Sequence, residues 1–274
     1  MELLPAGQTY TPTATPVPQN TPTPTPRIPQ NDPLIGVMDG GGASASFQAA
    51  LPTPTPATRT RLNKYPDNAL LSISEAFTSL RQENPDVVGR LTIDGVLDET
   101  IVQRNNTFYL THNARGVFGS IGAVFVDESV VLKKPPENLL LRGQTSKPGR
   151  LFEPLLQYGE AGADFIRSHG IITCDTIYEQ ARYVIFAVIL ADSRTDAEGY
   201  FNYAGYPTFQ SDAQMMRYVE AARARSVYPI NVSVKATDRL LTLATLTEGS
   251  GTANWVILCR MLRNGETNGN IQRN

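Results

Sequence analysis

From residue 61 onward the chain breaks into short apolar or alternating blocks separated by turn residues. Over 68–84, Leu70, Leu71, Ile73, Ala76, Phe77 and Leu80 recur at helical spacing and Pro85 closes the pattern, which predicts one amphipathic helix. The blocks 87–93, 101–103, 122–127 and 138–141 read as strands. Short helices are expected over 151–158 and 161–169, followed by strands over 171–173 and 183–190. The unbroken apolar run 184–190 predicts a strand buried on both faces. A Ser211-Asp212 cap then opens a helix over 211–226, with Met215, Tyr218, Val219 and Ala222 on one face. Two closing strands, 238–247 and 254–262, are joined through Glu248-Gly249-Ser250-Gly251 as a hairpin. Eight or so strands with few helices and no regular strand-helix alternation predict a mainly β closed barrel and argue against a doubly wound sheet.

The first 60 residues follow no such pattern. They hold 12 of the 20 prolines of a 274-residue chain. Residues 11–26 and 52–56 alternate Thr with Pro, whose fixed φ and missing N–H favour an extended, solvated spacer of about 3.1 Å per residue. Residues 39–46, rich in Gly, Ala and Ser, form a flexible joint between the two tracts. The expected organisation is a spacer over 1–60, a folded domain over 61–265 and a polar tail over 266–274. Such spacers commonly hold a domain off a cell surface, with an interdomain linker as the alternative. No apolar run of about 18 residues spans a bilayer, and the opening Met-Glu-Leu-Leu-Pro lacks a secretion signal, so a membrane anchor is expected outside this sequence. A net charge of -2 without long single-sign runs gives no footprint for nucleic acid or anionic lipid. Cys174 and Cys259 are too few for a disulfide framework and lack metal-ligand spacing. The bland reading of each is a small buried apolar residue.

Several blocks agree in order and spacing with one family. Asn84-Pro85-Asp86-Val87-Val88-Gly89-Arg90-Leu91-Thr92-Ile93, then Ile101-Val102-Gln103, Asn106-Thr107-Phe108-Tyr109-Leu110-Thr111-His112-Asn113 and Gly122-Ala123-Val124-Phe125-Val126-Asp127 resemble the opening of class B sortases. The stretch from Tyr200-Phe201-Asn202-Tyr203 through Ala224-Arg225-Ser226-Val227-Tyr228 to Thr237-Asp238-Arg239-Leu240-Leu241-Thr242-Leu243-Ala244-Thr245 is similar to that class's long helix and penultimate strand. The resemblance covers residues 65 to 263. It implies an eight-stranded sortase-type β-barrel with an N-terminal helix and a long helix before the penultimate strand. It also implies a membrane-anchored cysteine transpeptidase of Gram-positive bacteria that needs no cofactor. Such an enzyme holds a sorting signal as a thioacyl intermediate, using a Cys nucleophile, a His for proton transfer and an Arg at the oxyanion or substrate.

The sequence departs from that pattern at all three positions. The family's Thr-Leu-Ser-Thr-Cys reads Thr242-Leu243-Ala244-Thr245-Leu246, Tyr-Gly-His reads Arg142-Gly143-Gln144, and the Arg of the last strand falls on Asn254. Losing such a nucleophile or its base costs on the order of 10⁶-fold, and the losses do not add. The expectation is a catalytically inactive, sortase-like protein at the extracellular face of the cell membrane or wall. It would bind a peptide or surface protein through an inherited groove that includes Thr245, Thr247, Trp255, Tyr203 and Tyr206. One alternative is a hydrolase or transpeptidase using Thr245, Thr247 or Ser250 with help from Glu248, since His112 and His169 lie outside the triad positions. Another is a purely structural barrel. For Trp255 a core role competes with a groove floor.

Overall fold

The barrel opens on a tight reversal. In a computed structural model that describes residues 61–145, 151–246 and 253–267, β1 (Val87–Ile93) turns through Asp94-Gly95 into β2 (Leu97–Val102). Gly95 takes φ +67°, and the Val96 amide donates to the Ile93 carbonyl at 2.9 Å, the geometry that a short hairpin loop demands of glycine. β2 begins before the expected strand because its first half is polar. Arg90 of β1 grips Asp98 of β2 through two hydrogen bonds of 2.6 and 2.5 Å on the exposed face.

The remaining strands are β3 (Val124–Val126), β4 (Asn138–Gln144), β5 (Ile171–Thr176), β6 (Arg182–Asp192), β7 (Leu240–Leu246) and β8 (Ala253–Met261). They close in the order β1-β2-β3-β4-β7-β8-β6-β5, with β5 returning to β1. This is the mainly β, eight-stranded barrel that the sequence predicts. β6 is buried along Tyr183 to Ile189, as its apolar run predicts, but Leu190 at the end of that run is 46 % exposed; β7 and β8 pair antiparallel as expected. Leu91, Leu141, Leu243, Ile257 and Val188 all belong to the main apolar core.

The helices surround this frame. α1 (Thr78–Glu83) follows a 3₁₀ turn, Glu75–Phe77; a second 3₁₀ turn is Phe108–Leu110; a third, Glu153–Leu156, leads into α2 (Gln157–Glu160) and α3 (Ala163–His169). α4 (Asp212–Ala224) starts where predicted, its Ser211 hydroxyl accepting from the Gln214 amide at 3.2 Å. It buries Met215, Tyr218, Val219 and Ala222.

The first predicted helix is much shorter than its apolar pattern. The Asn68 side chain accepts from the Ser72 amide at 2.8 Å and donates to the Ser72 carbonyl at 2.7 Å, and Leu71 sits at φ 56°, so the segment turns where a helix would have to continue. Leu70 is 91 % exposed and Phe77 is the one residue of Glu75–Glu83 that is buried. Phe77 joins Val87, Val102, Tyr109, Ala123, Phe125 and Ile177 in a second, smaller apolar cluster on the barrel's outer side.

At the end of β8, Arg260 is 1 % exposed and bonds Glu266 at 2.5 and 2.9 Å and the Ser233 carbonyl at 2.7 Å, while Arg263 pairs with Asp238 at 2.7 Å. Glu266, which the sequence assigns to the tail, is thus tied to the domain. Residues 1–60, 247–252, which include Glu248 and the expected hairpin turn, and 268–274 lie outside the described residues.

Candidate functional site

Strand register brings residues far apart in the chain to one rim. β4 and β7 run parallel with Gln144 opposite Leu246 and Gly143 opposite Thr245. β7 and β8 pair up to Ala244 opposite Val256, and continuing that register by two residues sets Leu246 across from Asn254. Asn254 in turn faces Ala191 of β6. Residues opposite each other in a ladder share a face, so Gln144, Leu246 and Asn254 line one face at one rim.

None of the three carries a titrating or nucleophilic group. Gln144 is 6 % exposed, and its Nε2 donates to the Leu110 carbonyl at 3.0 Å, so a buried neutral amide is satisfied by the backbone of the preceding loop. Leu246 is half-buried and packs against the second apolar cluster, alongside Leu110, Phe108 and Leu151. Asn254 is buried. The β4 ladder is carried one rung further by the Thr145 amide, which donates to the Leu246 carbonyl at 3.1 Å.

The other candidate residues take different places. Thr245 is 1 % exposed, and its hydroxyl accepts from the Trp255 amide at 2.8 Å in place of the next ladder bond. Thr245 and Trp255 fall on the opposite face from the trio by strand alternation. Trp255 is half-buried and its ring packs against Gly159 of α2, where an added Cβ would stand 2.2 Å from it. Tyr203 and Tyr206, expected along a groove wall, are buried with Phe201 and Phe209 around Tyr218 of α4; Tyr206 stacks on Phe209 at 5.9 Å and meets Tyr218 at 5.5 Å. The aromatic spacing of 200–209 thus builds core under α4. Thr247 and Ser250 lie outside the described residues.

The residues that could replace a lost nucleophile or base are occupied elsewhere. Cys174 and Cys259 are fully buried, and burial pushes both thiols up, away from the thiolate form. His169 turns its Nδ1 to the Phe165 carbonyl at 3.3 Å at the end of α3. His112 Nδ1 lies 2.9 Å from the Phe108 carbonyl, and its ring stacks on Phe108 at 3.8 Å. Among the described residues no three His, Cys, Asp or Glu side chains gather as a metal site. A cavity of about 210 Å³, lined in part by Ile166, Arg167, Val184, Ile185, Tyr228 and Ile230, lies near the opposite end of β6 from Ala191. That is roughly 20 Å along the strand, too far to belong to the rim.

Sequence reasoning missed how the 104–122 segment takes part in this rim. Its signal was the spacing Arg104, Phe108, His112, four residues apart each time, which sets three flat groups in register although only 108–110 is helical.

No family model matches the chain. In sequence it is 28 % identical over 175 residues to sortase B of Listeria monocytogenes, a match covering 63 % of this chain and 68 % of that protein. It is 26 % identical over 171 residues to sortase B of Staphylococcus aureus, covering 62 % and 66 %. In structure it is similar to a Staphylococcus aureus sortase B-substrate complex, with a TM-score of 0.63 and 23 % identity, covering 70 % of this chain and 87 % of that one.

Proposed function

We propose that this chain, whose sequence and barrel are similar to those of class B sortases, is a surface protein that holds a peptide or protein partner at the barrel rim without cutting it. One observation carries the reading: the ladder positions that the family motifs give to a His, a Cys and an Arg are filled by Gln144, Leu246 and Asn254, and register gathers them at one rim. A leucine side chain cannot attack a carbonyl, and an amide neither takes nor gives a proton near neutral pH. The two thiols are buried, and the Thr245 hydroxyl, 1 % exposed, accepts a bond from the Trp255 amide. A peptide-shaped ligand is supported by the substrate complex of the similar staphylococcal protein. In this reading the Thr/Pro segment 1–60 spaces the domain 61–265 from the surface of a Gram-positive cell, the similar proteins being those of Listeria monocytogenes and Staphylococcus aureus. No helix among the described residues is long and apolar enough to cross a membrane.

The test is a titration of the purified protein with sorting-signal peptides, followed by intact-mass measurement. Saturable binding with unchanged peptide and no acyl adduct is expected. Turnover that stops on mutation of a rim residue would reject the reading. The packing of Leu246 into the second apolar cluster favours a purely structural barrel as the second reading, for which no peptide binds.

A further inference from the structure

Beside the rim stands a ladder of flat groups, exposed at its two ends, Arg104 and Phe118, and half-buried at Phe108 and His112. The Arg104 guanidinium lies 4.2 Å over the Phe108 ring. The His112 imidazole stacks on the same ring at 3.8 Å and 13°. Two groups at those separations must take opposite faces of one ring. Phe118 then meets His112 edge-on at 5.6 Å. Arg104 makes no ion pair with any described residue, so a cation backed by an aromatic face is left open to solvent.

The far end of the ladder is apolar and firmly held. Val117, Phe118 and Ile121 are 57 %, 77 % and 49 % exposed. The loop that presents them is closed by the His112 to Phe118 bridge, with backbone bonds from Asn113 to Val117, Gly116 to Asn113 and Gly119 to Thr111. The Asn113 side chain also accepts from the Arg115 and Val117 amides at 3.0 and 3.1 Å. Large apolar side chains are therefore held outward on an ordered support. The base of the same loop is bonded to the rim through Leu110 and Gln144.

Resting on the rim as a peptide-binding site, we infer that the 104–121 ladder selects the partner: an extended segment with a bulky apolar residue for the Phe118 tip and an Asp or Glu for Arg104. A carboxylate supplies the charge that the open guanidinium lacks and can meet its fork with two hydrogen bonds. Placed in line, the separations set the two ends at most about 14 Å apart, three to four residues of extended peptide.

A random octapeptide display library, selected on the immobilised full chain and on Arg104→Glu and Phe118→Ser, tests this. Both side chains are exposed, so both variants keep the fold, which circular dichroism checks. On the wild type, peptides carrying an acid three or four residues from an apolar residue should be enriched roughly tenfold, the scale of one charge-assisted contact. Arg104→Glu should exchange the acid for Lys or Arg, and Phe118→Ser should erase the apolar preference alone. If peptides are captured with the same composition on all three proteins, the ladder selects nothing and the rim reading stands. If none is captured on the wild type, both fall.

Discussion

A thiol and an imidazole restored at the rim should sense each other, because Leu246 and Gln144 are direct ladder partners on neighbouring strands. Strands lie about 4.8 Å apart, so a Cys at 246 and a His at 144 can bring Sγ and a ring nitrogen into contact. Alone, Leu246→Cys places a thiol against the second apolar cluster, which should hold its pKa at or above the free value of about 8.5. An imidazolium in contact lowers a thiol by about one to three units, and two units correspond to about 2.7 kcal/mol of coupling. The assay is the pH profile of iodoacetamide alkylation. The midpoint should lie at or above about 8.5 for Leu246→Cys and fall to about 7.5 when Gln144→His is added, because an imidazole that itself titrates near about 6.5 shares the shift with the thiol. The midpoint is a better readout than the rate at one pH, since a thiolate of lower pKa is also a weaker nucleophile. Cys174 and Cys259 should stay silent, being buried in the barrel. Coincident profiles for the single and double variants would refute the register argument, and with it the assignment of these two positions to a lost catalytic pair. Adding Asn254→Arg to the pair is the variant in which turnover of a sorting-signal peptide should first be detectable.

Three further outcomes follow from the packing. Arg260→Met should cost about 1–3 kcal/mol, because it removes the two short bonds from a buried guanidinium to Glu266 and leaves that carboxylate to the more exposed Arg263; thermal unfolding measures the loss. The same pair sets a pH response. Burial pushes the Glu266 carboxyl up, but the bonds from Arg260 and the Arg263 amide and the two positive charges outweigh it and hold it below its usual value. Its contribution is therefore complete above the unfolded value of about 4.3 and is lost as pH falls through the lower folded value, so Arg260→Met should flatten the acid limb of stability against pH. Gly159→Ala should drive a methyl into Trp255 and cost about 1–3 kcal/mol. Trp255 is the sole tryptophan, so a red shift of its emission should accompany the lowered Tm, and an unchanged spectrum and Tm would show that the ring is not pinned there.

Legibility in the sequence tracked how local each signal was. The apolar run of β6, the Ser-capped face of α4 and the β7–β8 hairpin are patterns within one segment, and each formed as expected. The 68–84 pattern failed because a side-chain bond from Asn68 and a left-handed Leu71 overrode its periodicity. Tyr203 and Tyr206 are expected in a groove because composition cannot say which way a ring points; α4 packs over them and makes them core.

By itself, the chain's residue order determined the barrel class and that no thiol or imidazole stands at 246 or 144, because pattern and identity are one-dimensional properties. Only the tertiary structure decided that positions 144, 246 and 254 share one rim, that Thr245 and Trp255 face the other way, and that Arg104, Phe108, His112 and Phe118 stack beside them. Parallel pairing of strands a hundred residues apart is fixed by closing the sheet on itself, a constraint that no local stretch of sequence contains.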